Sequence, residues 1–347
     1  MSYVGSRHHR SRRSLTVAVA AVLALLISAC SSADQSRTVQ TPADPISPSE
    51  DASIARSVAE PEDSSVTGEE RLAAPQASSV VTGENVVHVL GSIRATPEIA
   101  TGWEADIPVV QDDLATAASL SCDLGDSCDP EAIAAWAENR VDLINLATSA
   151  NVLPVEDLSA MRDALAEVNV ATVGFGVSSI AEQPFVFDNG DIAIAFHSLS
   201  LLAVPEVSAT DDRAGIAGPA SFNAVLESVG TSREQGRGVV VMIDWEGLDA
   251  RAPDASNISA VEALVEAGAD AVVGHGSDFL LRFDQVGNGI AAYGLGNALT
   301  TTQDPQRRDG SVLRLEFDRP GRSCLLPARG TEEGPALDDP TATDCSN

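Results

Sequence analysis

Apolar and polar positions divide the chain into three regimes. Leu15 to Ile27 is an almost unbroken apolar run. From Ser31 to about Glu84 no apolar period is sustained. From Val86 onward, short apolar runs alternate with stretches of helical spacing, the signature of strands and amphipathic helices. The pattern predicts a strand over Val86–Leu90 that stops at Gly91, and a second near Ile107–Gln111. A helix near Glu131–Glu138, a strand over Val141–Ala147 and a helix over Val155–Val168 follow; Leu158, Met161, Leu165 and Val168 fall on one face of that helix. Further on are a strand Ala171–Phe175 and a hairpin pairing Pro184–Phe187 with Ile192–His197. Asp188-Asn189-Gly190 supplies its turn, because Asn-Gly between two β runs favours tight reversal. The remainder reads as helix Ser221–Val229, strand Gly238–Asp244, helix Ile258–Ala267 and strand Ala271–Gly274. Strands near Phe279–Gln285, Ile290–Tyr293 and Ser311–Phe317 end it. Alternating strands and helices with a β-rich end imply one α/β domain over residues 85–318, followed by a polar, Pro-rich tail over 319–347.

The first apolar run is too short to span a bilayer, which takes roughly 20 apolar residues. It follows Arg7, Arg10, Arg12 and Arg13 and ends in Leu26-Ile27-Ser28-Ala29-Cys30, the layout of a secretion signal. Those last residues resemble the bacterial lipobox, in which the Cys is acylated and becomes the new N-terminus. Residues 1–29 are therefore expected to be removed, and Cys30 to hold the protein at a membrane through its lipid. The Ser-, Pro- and acid-rich segment 30–84 reads as a disordered tether.

Charge then limits the partners. The chain has 21 basic residues, all Arg, against 51 acidic ones, a net charge of −30. Such a surface repels nucleic acid, so nucleic-acid partners are excluded. Beyond Cys30 the cysteines are Cys122, Cys128, Cys324 and Cys345, an even number that suits two disulfides in an exported protein. Three connectivities are open; local pairing, Cys122 with Cys128 and Cys324 with Cys345, is expected because each pair brackets a loop or tail. The spacing lacks a zinc-type C-x₂-C pattern.

Three stretches carry a family resemblance. Glu266-Ala267-Gly268-Ala269-Asp270-Ala271-Val272-Val273-Gly274-His275 resembles "aGADvViGhHPHv". Tyr293-Gly294-Leu295-Gly296-Asn297 resembles "YSLGNF". Arg140 to Ala147, with Val173-Gly174-Phe175-Gly176, resembles "fDvvsLANNH…vGaG". In this order they are similar to the bacterial capsule and poly-γ-glutamate synthesis protein CapA family. The resemblance implies a metallophosphoesterase-like layered α/β sandwich, an envelope location, and an envelope polysaccharide or polyglutamate as partner.

The family's metal ligands are largely missing. Where the family's first strand ends in Gly-Asp, this chain has Gly91-Ser92, and "NNH" is replaced by Thr148-Ser149-Ala150. The His of "HWG" corresponds to Asp244, and "HPH" to Gly276-Ser277-Asp278. Asp113 could retain an acid after the second strand. Two-metal hydrolysis needs His and carboxylate ligands that converge on a bound water. After the signal only His88, His197 and His275 remain; His88 and His197 read as packed strand residues, and His275 lies beside the ligand positions. The candidate catalytic residues are Asp244, His275 and Asp278. The candidate metal ligands are Asp113, Asp244 and Asp278, with Glu246 beside them, as an acid-only pocket for Ca²⁺ or Mg²⁺. Solvated loop acids are the competing reading. Neither Ser92 nor Ser149 sits in a Gly-x-Ser-x-Gly elbow. No other cofactor is expected, and the reading is a non-catalytic binding protein, with a metal-dependent hydrolase or amide-bond ligase/transferase as the alternative.

Overall fold

The computed structural model describes residues 84–95, 113–122, 128–138, 141–148, 153–245, 247, 249–300, 302–318, 323–331, 335–337 and 345. The expected signal and tether, Cys30, the strand expected at Ile107–Gln111, Ser149 and Glu246 lie outside them.

Strands β1 (Glu84–Ala95) and β2 (Asp113–Cys122) precede helix α1 (Pro130–Ala137), β3 (Leu143–Asn145), α2 (Val155–Glu167) and β4 (Ala171–Val173). Next come β5 (Phe175–Gly176), α3 (Ser178–Ala181), β6 (Phe185–Asp188), β7 (Ala193–Ser200), β8 (Gly215–Ile216) and α4 (Phe222–Glu234). The chain continues through β9 (Gly238–Asp244), α5 (Ala255–Ala267), β10 (Ala271–His275), β11 (Phe283–Val286), β12 (Gly289–Ala292) and β13 (Asn297–Leu299). Helix α6 (Pro305–Arg308) and strands β14 (Asp309–Glu316), β15 (Cys324–Gly330) and β16 (Pro335–Leu337) complete it.

One sheet runs β16-β15-β14-β1-β2-β3-β4, with β13 also pairing β1; the other runs β11-β12-β10-β9-β7-β6. Alternation along the strands shows how they stack. Val240 and Met242 of β9 share a core with Val87, Val89, Leu143 and Leu313 of the first sheet. Val239, Val241 and Ile243 belong instead to the core that includes Val225 and Val229 of α4 and Val261 and Leu264 of α5. A strand buried on both faces reads as a continuous apolar run, and Gly238-Val-Val-Val-Met-Ile-Asp244 is one. The result is a layered α/β sandwich, helix–sheet–sheet–helix, as expected from the sequence. Among the described residues no helix is long and apolar enough to cross a membrane.

Local chemistry fixes the elements. Asp129 caps α1 by accepting the Glu131 N–H at 3.1 Å, and Asp254 caps α5 by accepting the Asn257 N–H at 2.9 Å. Such caps satisfy donors the first turn leaves open. The Asp188-Asn189-Gly190 hairpin forms between β6 and β7. Asn189 Oδ1 accepts the N–H groups of Asp191 and Ile192 at 3.0 and 2.9 Å. Both disulfides, Cys122–Cys128 and Cys324–Cys345, are present.

Several strand boundaries differ from the sequence reading, and a strand over Asp113–Cys122 was not expected. β1 does not stop at Gly91 but runs to Ala95. The glycine serves close approach: a Cβ there would run into the Gly296 carbonyl oxygen just before β13 pairs with β1 in parallel. The second strand is described from Asp113 to Cys122. The sheet also continues past Asp318, since β15 and β16 extend it in antiparallel register where a polar tail was expected.

Candidate functional site

The parallel strands of both sheets end at one level, and there the inter-sheet core changes from apolar to polar. In the second sheet the inward face reads Ile194, Phe196, then Ser198 and Ser200 on β7; Val240, Met242, then Asp244 on β9; and Ala271, Val273, then His275 on β10. In the first sheet Ala117 gives way to Ser119 on β2 and Leu143 to Asn145 on β3, while β1 contributes Ser92 and Arg94. Every one of these polar residues is buried. Register places Ser200 beside Asp244 and Asp244 beside His275, and Ser92 between Ser119 and Asn297.

Hydrogen bonds knit this layer together. Ser198 Oγ donates to Asn145 Oδ1, and Asn145 Nδ2 donates to Ser119 Oγ at 3.0 Å, so one chain joins the two sheets. Ser200 Oγ donates to Asp244 Oδ2 at 2.7 Å. Arg94 forms an ion pair with Asp278, and its Nε donates to Asn297 Oδ1 at 2.9 Å. Asn297 Nδ2 donates in turn to Asp278 Oδ1 at 3.1 Å. Arg307, from the short helix α6, reaches back to pair with both Asp278 and Asp249. Hydrogen bonds to Asp278 and then to Asp249 raise its already high pKa.

Outside the buried layer, two guanidinium groups share one aromatic ring. Arg251 lies 3.8 Å and Arg307 5.3 Å from the centre of the Phe279 ring. Cations over an aromatic face are held by the ring quadrupole. This brings two guanidinium groups together near the carboxyl ends of the strands, beside the carboxylates of Asp249 and Asp278, in a chain whose net charge is −30.

His275 stands apart. It is fully buried, and neither ring nitrogen has a hydrogen-bond partner. Burial lowers its pKa from 6.5 to about 3, so the ring is neutral near neutral pH. An unsatisfied buried donor or acceptor costs about 1–3 kcal/mol, so the histidine is not favoured here by its own hydrogen bonding.

The sequence-derived candidates are therefore only partly brought together. Ser92, Asp244, His275 and Asp278 occupy the polar layer. Asp113 does not: it opens β2 opposite Glu84, six residues before Ser119, or about 20 Å along the strand. The backbone register therefore sets Asp113 at the other end of its strand from the layer that holds Asp244 and Asp278. His88 and His197 belong to strand packing. His88 is buried within β1 opposite Arg314. His197 packs against α4 with Nε2 3.1 Å from Ser232 Oγ, and burial, then Arg237, lowers its pKa to about 3.

The remaining donors do not fit a two-metal centre. Asp278 faces two guanidinium groups and an amide N–H, so its negative charge is already matched. Among the described residues no group of three or more His, Cys, Asp or Glu could hold a metal. Arg94, Asn145, Ser198, Ser200, Asn297 and Arg307 were not singled out from the sequence. Asn145 and Asn297 entered only as members of the family-like stretches, and the signal for Arg94 lay two positions before it, in the serine that stands where the family has an acid.

A family model described as bacterial capsule synthesis protein PGA_cap matches residues 124–302, just over half of the chain. No curated protein sequence matches it. Among solved structures, the NAD nucleotidase of Haemophilus influenzae is 10% identical with a TM-score of 0.43, covering 70% of this chain and 50% of that one. A putative 5′-nucleotidase from Staphylococcus aureus, in complex with α-ketoglutarate, is 11% identical with a TM-score of 0.44, covering 73% and 54%. This chain spans about half the length of either.

Proposed function

This chain belongs to the bacterial capsule synthesis protein PGA_cap family, and on that premise we propose that it is a lipid-anchored envelope protein that binds an anionic envelope polymer without hydrolysing it. The observation that carries the reading is the pairing of Asp278 with Arg94 and Arg307. Guanidinium groups supply, inside the fold, the positive charge that a metal would bring. A cation entering there would have to displace two arginines from a buried carboxylate, which costs several kcal/mol.

Arg251 and Arg307 give the polymer its contact. A strongly acidic protein repels a polyanion overall, so binding needs a local basic patch. Arg307 shares its charge with Asp249, which is 82% exposed; an exposed ion pair contributes only about 0–1 kcal/mol. An incoming carboxylate can therefore replace Asp249 while Asp278 continues to hold the arginine in place. Poly-γ-glutamate, a chain of carboxylates, is the polymer that the family resemblance names.

The test is equilibrium binding of labelled poly-γ-glutamate to the intact protein at low ionic strength. Binding should weaken with salt, because exposed charges are screened, and should be lost in Arg251→Ala/Arg307→Ala. The competing reading is a metal-dependent hydrolase or an amide-bond ligase/transferase with a rebuilt acidic site. It draws on unpartnered His275 beside Asp244. Stoichiometric metal together with hydrolysis that disappears in Asp244→Ala would establish that alternative and end the binding-only account.

A further inference from the structure

At the opposite end of the strands lies a cleft that the polar layer does not touch. It measures about 160 Å³ and opens between β11–β12 and the end of β14. Phe283, Phe317 and Ile290 give it apolar walls, while Gln285, Asn288 and Asp270 bring polar groups to it. We propose that this cleft binds a single uncharged sugar ring, at a site separate from the arginine patch.

Size comes first. Pockets for drug-sized ligands measure about 300–1,000 Å³, so this one has room for one ring and not for an extended chain. Chemistry narrows the choice. A wholly apolar guest would meet two carboxylates, Asp270 and Glu316, and two amides and return no hydrogen bonds, at a cost of about 1–3 kcal/mol for each group left unsatisfied. An anion would meet Asp270 and the field of a chain with net charge −30. A sugar ring has an apolar C–H face to lie on a phenylalanine and hydroxyls to pair with amide and carboxylate groups.

The cleft is also preorganised. Phe317 keeps its place because residue 238 is glycine: a Cβ there would come within 2.6 Å of the ring. Gln285 is tied down through Nε2, which donates to the Gly289 carbonyl at 2.7 Å. Asp270 is positioned by the Val239 N–H at 2.9 Å and by Arg233 at 3.2 Å. Fixed polar groups lose little freedom when they bind.

Saturation-transfer NMR with the intact protein tests the assignment, using glucose and N-acetylglucosamine as probes at millimolar concentration. The ring C–H protons of at least one sugar should receive saturation. The signal should collapse in Asn288→Trp, which fills the mouth from an exposed turn and should leave the melting temperature unchanged. It should persist in Arg251→Ala/Arg307→Ala, which separates this site from the polymer patch. No transfer to either sugar, or transfer unaltered by Asn288→Trp, would overturn the proposal.

Discussion

Asp278 shows how one side chain decides between two chemistries. Its carboxylate is 7% exposed and paired with Arg94, itself 8% exposed. Removing one partner of a buried ion pair costs about 3–5 kcal/mol, because the other charge is left uncompensated. Asp278→Ala should therefore lose about that much stability in urea unfolding with EDTA present throughout, whereas a vacant metal ligand would show little loss. His275 makes a pH prediction of the opposite kind. Its folded pKa of about 3 lies below the unfolded value of 6.5, so the unfolded chain binds the extra proton between those limits. Stability is then unaffected by this group above pH 6.5 and falls progressively as pH drops toward 3. His275→Phe should flatten the decline relative to the parent when urea midpoints are compared at pH 7.5 and pH 5. The sequence already identified Asp244, His275 and Asp278. It did not show their partners, because Arg94 and Asn297 are 203 residues apart and meet only through sheet pairing.

Elements with a clear period were legible. The runs that became β9, β10, α2 and α5 stand where apolar spacing places them, since each buries one face or two against a neighbour. Elements set by backbone approach were not. Gly91 looked like a strand terminus because glycine often ends a strand; in the fold it lets β13 come alongside β1. Gly91→Ala should cost about 3 kcal/mol, the upper end of overpacking penalties, with thermal melting as the check. The strands β13, β15 and β16 were hidden because they are short or interrupted by Pro and Gly, and pair at positions that no local pattern specifies. The place of Asp113 at the start of β2 was hidden for a related reason. An acid near a strand can open it or close it, and only register distinguishes the two ends. The Cys324–Cys345 disulfide closes a loop with a sequence separation of 21. A closure of this size is worth about 3 kcal/mol, so Cys324→Ser/Cys345→Ser should unfold at correspondingly lower urea.

At the scale of the whole molecule, an acidic sandwich carries an arginine cluster at one end of its strands and a ring-sized cleft at the other. Acylated Cys30 would tether that body to a membrane; Cys30→Ser should release the protein from membranes in cell fractionation, while the folded domain keeps its melting temperature. In the proposed function guanidinium groups, and not metal ions, hold the polymer. The most direct measurement is the affinity of the intact protein for poly-γ-glutamate with and without EDTA. The same affinity is expected in both conditions, with its loss in Arg251→Ala/Arg307→Ala. Binding that requires a divalent cation, or that survives loss of both arginines, would contradict it.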